Sequence, residues 1–243
     1  MLIAPGGSLG GARPKASVID PNGQLWIAKF PSLNDDIDKG GWEMVVNELA
    51  KMSGLNVSEG TVKKFRNKNH TFLTKRFDRT INSERIHFAS AMTLLGYADG
   101  TGQENASYLH LAEFLMRNGA KVNTDLKELW RRIVFNICVK NTDDHLRNHG
   151  FLLTDKGWVL SPAYDINPNE RGTGLTINIS EEDNSLNLDL ALEVAEYFRL
   201  KEKNASNIIK KVKTSISNWK QLAKKYGIPK SEQELMSKAF REE

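Results

Sequence analysis

Apolar and polar positions follow strand-like spacing over the first third of the chain and helical spacing after it. Residues 16–20 and 25–30 flank the turn Asp20-Pro21-Asn22-Gly23 and read as two short strands. Trp42, Val45, Val46, Leu49 and Met52 recur at helical intervals over 41–53, with Gly54 as the stop. Residues 55–65 read as loop and strand, 66–69 as a polar hairpin turn, and 71–79 as a strand ending among charges. From residue 88 the pattern becomes helical, first as a short apolar helix over 88–95 and then, after a polar loop at 97–107, as an amphipathic one over 108–118. Thr124 is the expected cap of a long helix over 125–140, with Asp125 and Glu128 in its first turns. Its apolar residues cover nearly every face, which marks it as the centre of a packed unit. Residues 151–153 and 158–160 flank Thr154-Asp155-Lys156-Gly157 as a hairpin. A polar loop over 170–187 that could meet a substrate follows, then helices over 188–198 and 203–226, the last with a basic face. The order predicts an α+β fold.

Composition narrows this only a little. The 243 residues are 40% hydrophobic and 26% charged, ordinary for a globular protein large enough to bury a core. A net charge of +4, with acids and bases interleaved, is too mild to argue for nucleic acid. The lone Cys138 excludes an intramolecular disulfide and reads as a small core residue in the long helix. No run approaches the roughly 18 apolar residues of a membrane span, and the N-terminus lacks signal-peptide features. The expected location is cytoplasmic.

Chemistry concentrates after the long helix. Asp143 and Asn148 stand five apart in a polar loop, and Asp165 follows seventeen residues after Asn148, beyond the hairpin. Phosphotransferases of the protein-kinase type use this order for a base, a metal-binding amide and a metal-binding carboxylate. A carboxylate can accept a hydroxyl proton, and amide and carboxylate oxygens are hard ligands suited to Mg²⁺. A helix-ending polar loop followed by an ordinary hairpin would leave similar residues. Lys29, within the apolar run Trp26-Ile27-Ala28-Lys29-Phe30, requires an anionic partner if buried. Nucleotide phosphates, Glu43 and Glu48 are all candidates. Residues 5–15 carry Gly6, Gly7, Gly10 and Gly11, whose backbone amides could cradle phosphates, although the run does not match a Walker loop. Asp143, Asp144, His145 and His149 also allow a metal-dependent hydrolase, but His70, His87 and His110 are scattered and supply no second cluster.

Five ordered stretches carry a resemblance: Gly10-Gly11-Ala12-Arg13-Pro14-Lys15, Ala28-Lys29-Phe30-Pro31-Ser32, Lys75-Arg76-Phe77-Asp78-Arg79, residues 141–151 and Ser161-Pro162-Ala163-Tyr164-Asp165. Together they resemble the HipA family of serine/threonine kinases, the toxin halves of HipBA-type toxin–antitoxin pairs. The resemblance implies a two-lobed protein-kinase-like fold. Residues 1–79 would be a small β-rich lobe with the glycine loop and ATP lysine, and 80–243 a larger, mostly helical lobe. It implies ATP and Mg²⁺ as cofactors. Lys29 would hold the α/β-phosphates, Asp143 would act as base, Asn148 and Asp165 would bind metal, and His145 would position the loop. Gly7, Ser8, Gly10 and Gly11 would form the nucleotide loop, and backbone groups near Lys75 and Phe77 would meet the adenine edge. Ser8 stands where the family carries an autophosphorylated serine. The implied substrate is a protein, with an aminoacyl-tRNA synthetase as the family precedent. The implied partner is a HipB-type antitoxin, through which DNA is reached indirectly. Full-length members carry a further subdomain before the glycine loop. This chain starts almost at the loop, which implies a shortened form or a separate chain supplying that part. An idle kinase-fold module that binds an antitoxin and a small-molecule kinase remain as alternatives.

Overall fold

A computed structural model describes residues 13–65, 68–98 and 105–241. Strands β1 (Lys15–Ile19) and β2 (Leu25–Lys29) form the expected hairpin. Helix α1 (Lys39–Ser53) follows, then β3 (Gly60–Lys63) and β4 (Thr71–Lys75). The four strands make one antiparallel sheet in the order β1-β2-β4-β3. The rest is helical around a second, three-stranded sheet, so the chain has a small sheet lobe and a helical part, as expected.

The helical part departs from the sequence pattern in several places. Residues 88–95 are not one helix. Phe88–Ser90 forms strand β5, and only Ala91–Leu94 (α2) is helical, capped by Ser90 Oγ accepting from Thr93 N at 3.3 Å. Pairing with β6 (Gly150–Thr154) overrides the local pattern, and the Phe88 ring lies where a Cβ on Gly150 would have to go. β7 (Gly157–Leu160) completes the sheet in the order β5-β6-β7. Helix α3 (Tyr108–Asn118) matches its expectation, but α4 (Val122–Val139) starts two residues before the expected cap, so Thr124 lies inside it. The acids expected to serve the helix start bind other segments instead. Asp125 accepts from Leu160 N at 3.0 Å, and Glu128 accepts from Asn56 N at 2.9 Å. The strand expected over 71–79 stops at Lys75, after which Asp78 draws Arg76 and Arg79 into ion pairs at 2.6 Å.

Near the C-terminus, the expected helix over 188–198 becomes α5 (Leu188–Glu193) and a 3-10 turn at Ala195–Phe198. The helix expected over 203–226 is split into α6 (Glu202–Ile216) and α7 (Trp219–Lys225). At the break, Ser217 Oγ donates to Thr214 O at 2.9 Å and Asn218 Nδ2 to Thr214 O at 3.0 Å, side-chain bonds that compete with the backbone ladder. Helix α8 (Lys230–Met236) ends the regular structure.

Helix α4 is the core of the helical part, with Leu126, Leu129, Trp130, Ile133, Phe135 and Ile137 fully buried. Cys138 is buried there too, and burial pushes its thiol up to about 11, which suits a packing residue rather than a nucleophile. The helix of the sheet lobe, α1, is anchored mostly from the C-terminal end of the chain. Trp42 packs against Trp219 and Phe240, whose rings stack at 4.7 Å. Glu232 on α8 accepts from Asp38 N at 2.9 Å and from Trp42 Nε1 at 3.3 Å. Asp38 caps α1 through Gly41 N at 3.0 Å, accepts from His70 N at 2.8 Å and contacts His70 Nδ1. This cap brings the start of α1 against β4, and a Cβ on Gly40 would collide with the His70 carbonyl. Gly40→Ala should therefore cost about 1–3 kcal/mol, measured as a lower midpoint in urea denaturation. An unchanged midpoint would show that the start of β4 moves aside freely.

Candidate functional site

The site begins with a charge that burial would otherwise make costly. Lys29, at the end of β2, is largely removed from solvent, and its ammonium donates to Glu43 Oε1 at 2.5 Å and to Asp165 Oδ1 at 2.7 Å. The choice between two glutamates is thereby resolved in favour of Glu43. Glu48 points elsewhere, accepting from Tyr226 Oη at 2.7 Å and Lys225 Nζ at 3.3 Å. Burial pulls the Lys29 ammonium down, but the two carboxylates outweigh it and hold it above its ordinary value. Burial also pushes Asp165 up, yet Lys29 overcomes it and keeps that carboxyl below the usual range. For the deeper Glu43, burial prevails over Lys29 and the carboxyl is raised.

The loop after α4 supplies the opposite side. Lys140 ends the helix in a left-handed conformation, φ 47°, and turns the chain into the loop. Asp143 projects outward, its side chain 85% exposed. His145 stands beside it, Nε2 at 4.0 Å from Asp143 Oδ1. Asn148 closes a 3-10 turn at Leu146–Asn148 and donates from Nδ2 to Asp143 O at 2.9 Å. That bond leaves the Asn148 side-chain oxygen as its acceptor. Lys29 and Asn167 both donate to Oδ1 of Asp165, the latter at 3.1 Å, so Oδ2 is the oxygen left for a cation. One amide and one carboxylate oxygen are hard donors and fit Mg²⁺. Asn148 lines a small polar cavity together with Ala163, Tyr164 and Ile166, so the β6–β7 hairpin does return the residues around Asp165 to the loop. Asp165 itself has φ 57°, a left-handed conformation that aspartate tolerates better than most residues.

Other expected residues fall around this centre. Lys75 ends β4, where its N–H already donates to Glu59 O at 2.9 Å. The Phe77 ring packs on Phe88 and Tyr164 at 5.8 and 5.5 Å. Gly7, Ser8, Gly10 and Gly11 lie outside the described residues. The loop over 170–187 lies against the loop after α4, since Thr176 Oγ1 donates to Thr142 O at 2.7 Å and Gly172 leaves no room for a Cβ beside Thr142.

Two groups of residues escaped the sequence reading. Lys15 on β1 pairs in register with Lys29, and burial holds its ammonium below the ordinary lysine range against the opposing pull of Asp165. The hairpin pattern around residues 20–23 contained that pairing. Asp144 and His149, considered as hydrolase ligands, bind each other at 3.1 Å, and Asp144 also accepts from Asn136 Nδ2 at 2.8 Å and from Tyr108 Oη. Among the described residues no group of three or more His, Cys, Asp or Glu could hold a metal.

The opposed shifts of the two carboxylates give a pH signature. A depressed carboxyl such as Asp165 contributes stability above its unfolded pKa and loses it as pH falls through its lowered value. The raised Glu43 acts in the opposite sense and favours the fold most when protonated. Asp165→Asn should therefore cost more stability at neutral pH than at about pH 3, below the ordinary carboxylate range, in urea denaturation at the two pH values. Equal costs would show that Lys29 does not hold Asp165 ionised.

Comparison with known proteins places this geometry. A relative named Putative kinase Y4mE from Sinorhizobium fredii is 26% identical over 65% of this chain and 41% of its own length. A Haemophilus influenzae protein named Putative kinase is 27% identical over 51% of this chain and 39% of its own. The chain thus spans about two fifths of these curated relatives. Among solved structures, HipA in the Shewanella oneidensis toxin–antitoxin complex of HipA, HipB and operator DNA has a TM-score of 0.74 at 18% identity, covering 96% of this chain and 62% of that one. The Helicobacter pylori proinflammatory kinase CtkA has a TM-score of 0.59 at 14% identity, covering 93% of this chain and 88% of that one. Among the described residues no helix is long and apolar enough to cross a membrane. The family model for the HipA-like C-terminal domain matches residues 7–219, and the chain belongs to that family.

Proposed function

We propose that the chain is the catalytic domain of an ATP- and Mg²⁺-dependent kinase that phosphorylates a serine or threonine hydroxyl of a protein. The observation that carries this reading is the Lys29 ammonium, held by Glu43 from a helix and by Asp165 from beyond the catalytic loop. Kinase folds need both a helix carboxylate on that lysine and a metal-binding aspartate beside it. Relatives named as putative kinases and the fold shared with HipA and CtkA support the same reading.

The residues divide the work by position. Glu43 keeps Lys29 directed into the space between sheet and loop, where the ammonium binds nucleotide phosphate in place of Asp165. Asn148 and Asp165 are the residues that would hold Mg²⁺, which when bound neutralises charge on the phosphates. Asp143, exposed at the loop's tip, meets the incoming hydroxyl, orients it and takes its proton. His145 stands against Asp143 and limits its rotation. Gly7, Gly10 and Gly11 cover the phosphates, and the segment of Lys75 and Phe77 meets the base. Autophosphorylation at Ser8 would add roughly two negative charges where nucleotide phosphates bind and silence the enzyme. The chain serves as the toxin of a toxin–antitoxin pair, and its partner is a HipB-type antitoxin. The neighbour that supports this partner is HipA, whose structure was solved with HipB and operator DNA.

Transfer of labelled γ-phosphate from Mg²⁺-ATP, followed by mass spectrometry of the purified chain, tests the reading. Wild-type protein should label itself on Ser8, and chelation of Mg²⁺ should stop it. Asp143→Ala should lower transfer by about 10²–10⁴-fold, roughly 3–5 kcal/mol of barrier, with an unchanged melting temperature. Full activity in that variant would remove Asp143 from the mechanism.

A further inference from the structure

The four residues that the kinase reading relies on, Lys29, Asp143, Asn148 and Asp165, come from three separate stretches of chain, and buried polar contacts join the last three. Asp143 and Asn148 are each followed by a residue that turns inward. Asp144 and His149 are both buried, and they bind each other at 3.1 Å, closing residues 144–149 into a ring. Asp144 is in turn supported by Asn136, on the last turns of α4. Its Nδ2 donates to Asp144 Oδ2 at 2.8 Å and to Tyr108 Oη at 3.0 Å, while Tyr108 Oη donates to Asp144. Its Oδ1 accepts from Asn141 Nδ2 at 3.1 Å. Asn141 Oδ1 in turn accepts from Asn167 N at 3.1 Å, and Asn167 Nδ2 donates to Asp165 Oδ1 at 3.1 Å.

From this continuous chain of bonds we infer that Asn136 and Asp144 form a positioning hub, which sets Asp143, Asn148 and Asp165 in fixed relation to one another. Asn136 lies between the fully buried Phe135 and Ile137 in the helix at the centre of the helical part. A polar residue there is disfavoured unless every hydrogen-bonding group is satisfied, and here the amide uses both its nitrogen and its oxygen. Asp144 accepts from three donors on three parts of the chain, so it orients the loop without touching the reacting atoms. A rigid α4 thereby determines where the loop's outward-facing residues point. Preorganisation of this kind matters most in the chemical step, because small displacements of a base or metal ligand are felt there.

The inference rests on the kinase reading, and two independent readouts separate their failures. Hydrogen exchange reports the hub whether or not the protein is active. In Tyr108→Phe, which keeps the ring and removes one bond to Asp144, and in Asp144→Asn, the amides of His145 and Asn148 should lose protection relative to wild type. In wild type these amides donate to Asp143 O and His145 O at 3.2 and 2.8 Å. Unchanged protection in both variants would overturn the hub. Steady-state kinetics then test its role. Asp144→Asn should lower kcat per folded enzyme by about 10²-fold with a much smaller rise in KM for Mg²⁺-ATP, since the network also sets the residues that would hold Mg²⁺ while Glu43 still directs Lys29. Should Asp144→Asn fail to fold, Tyr108→Phe carries the kinetic test with a smaller loss in the same direction. Equal kcat per folded enzyme, or a loss in kcat no larger than the loss of folded fraction measured on the same sample, would make the network purely structural. An inactive wild type with protected loop amides, released in the variants, would instead refute the kinase reading and leave the hub standing.

Discussion

A buried ammonium shared between two carboxylates is the constraint on which the site depends. Lys29 is brought in by the sheet, Glu43 by α1 and Asp165 by the segment after the second hairpin. Any of these charges would be costly to bury unpaired, and removing Lys29 would leave two carboxylates facing each other. The sheet, the helix and the hairpin must therefore arrive in one relative placement for the charges to meet. The burial of Trp42 against Trp219 and Phe240, and the capping of α1 by Asp38, provide that placement without using the charged groups themselves.

The opposed behaviour of the two carboxylates follows from depth. Glu43 is closed in on all sides, so loss of solvent prevails; Asp165 keeps a third of its side chain open and is dominated by the ammonium. The arrangement keeps an ionised carboxylate near the mouth of the site, where a cation would be received, and a helix-borne carboxylate beneath it as a fixed support. Asp143, further out and without a close cationic partner, remains open to whatever approaches.

Much of this was legible in the sequence. Lys29 stood out because a charge interrupts an apolar strand, and α4 because apolar residues cover all its faces. Asp143 and Asn148 precede, and Asp165 follows, a short hairpin whose ends meet at Gly150 and Ser161, so the spacing alone brings the two stretches near each other. Most departures share one cause, contacts between distant segments, while the break at 217–218 comes from local side-chain bonds to Thr214 O. Residues 88–90 read as helix because their strand partner lies some sixty positions away, and Thr124 was chosen as a cap because Asp125 and Glu128 gave no sign of their bonds to Leu160 and Asn56. Asp144 and His149 looked like ligands for the same reason: a polar pair in a loop can face outward or inward, and only Tyr108 and Asn136 decide which. Lys15 lies in one of the five motif stretches, but its partnership with Lys29 follows only from strand register.

The anchoring of α1 bears on how such a molecule can be turned on and off. Glu232 and Trp219 hold the helix from beyond the loops, and Glu48 meets Tyr226 and Lys225 farther along it. A swing of α1 that withdrew Glu43 from the ammonium would have to break all of these at once. The helix thus behaves as part of the floor beneath the site, and the Lys29–Glu43 contact is a permanent fixture. Freedom to change state is left to the other flank of the ammonium, where Asp165 is more exposed and can give up its place to an incoming anion.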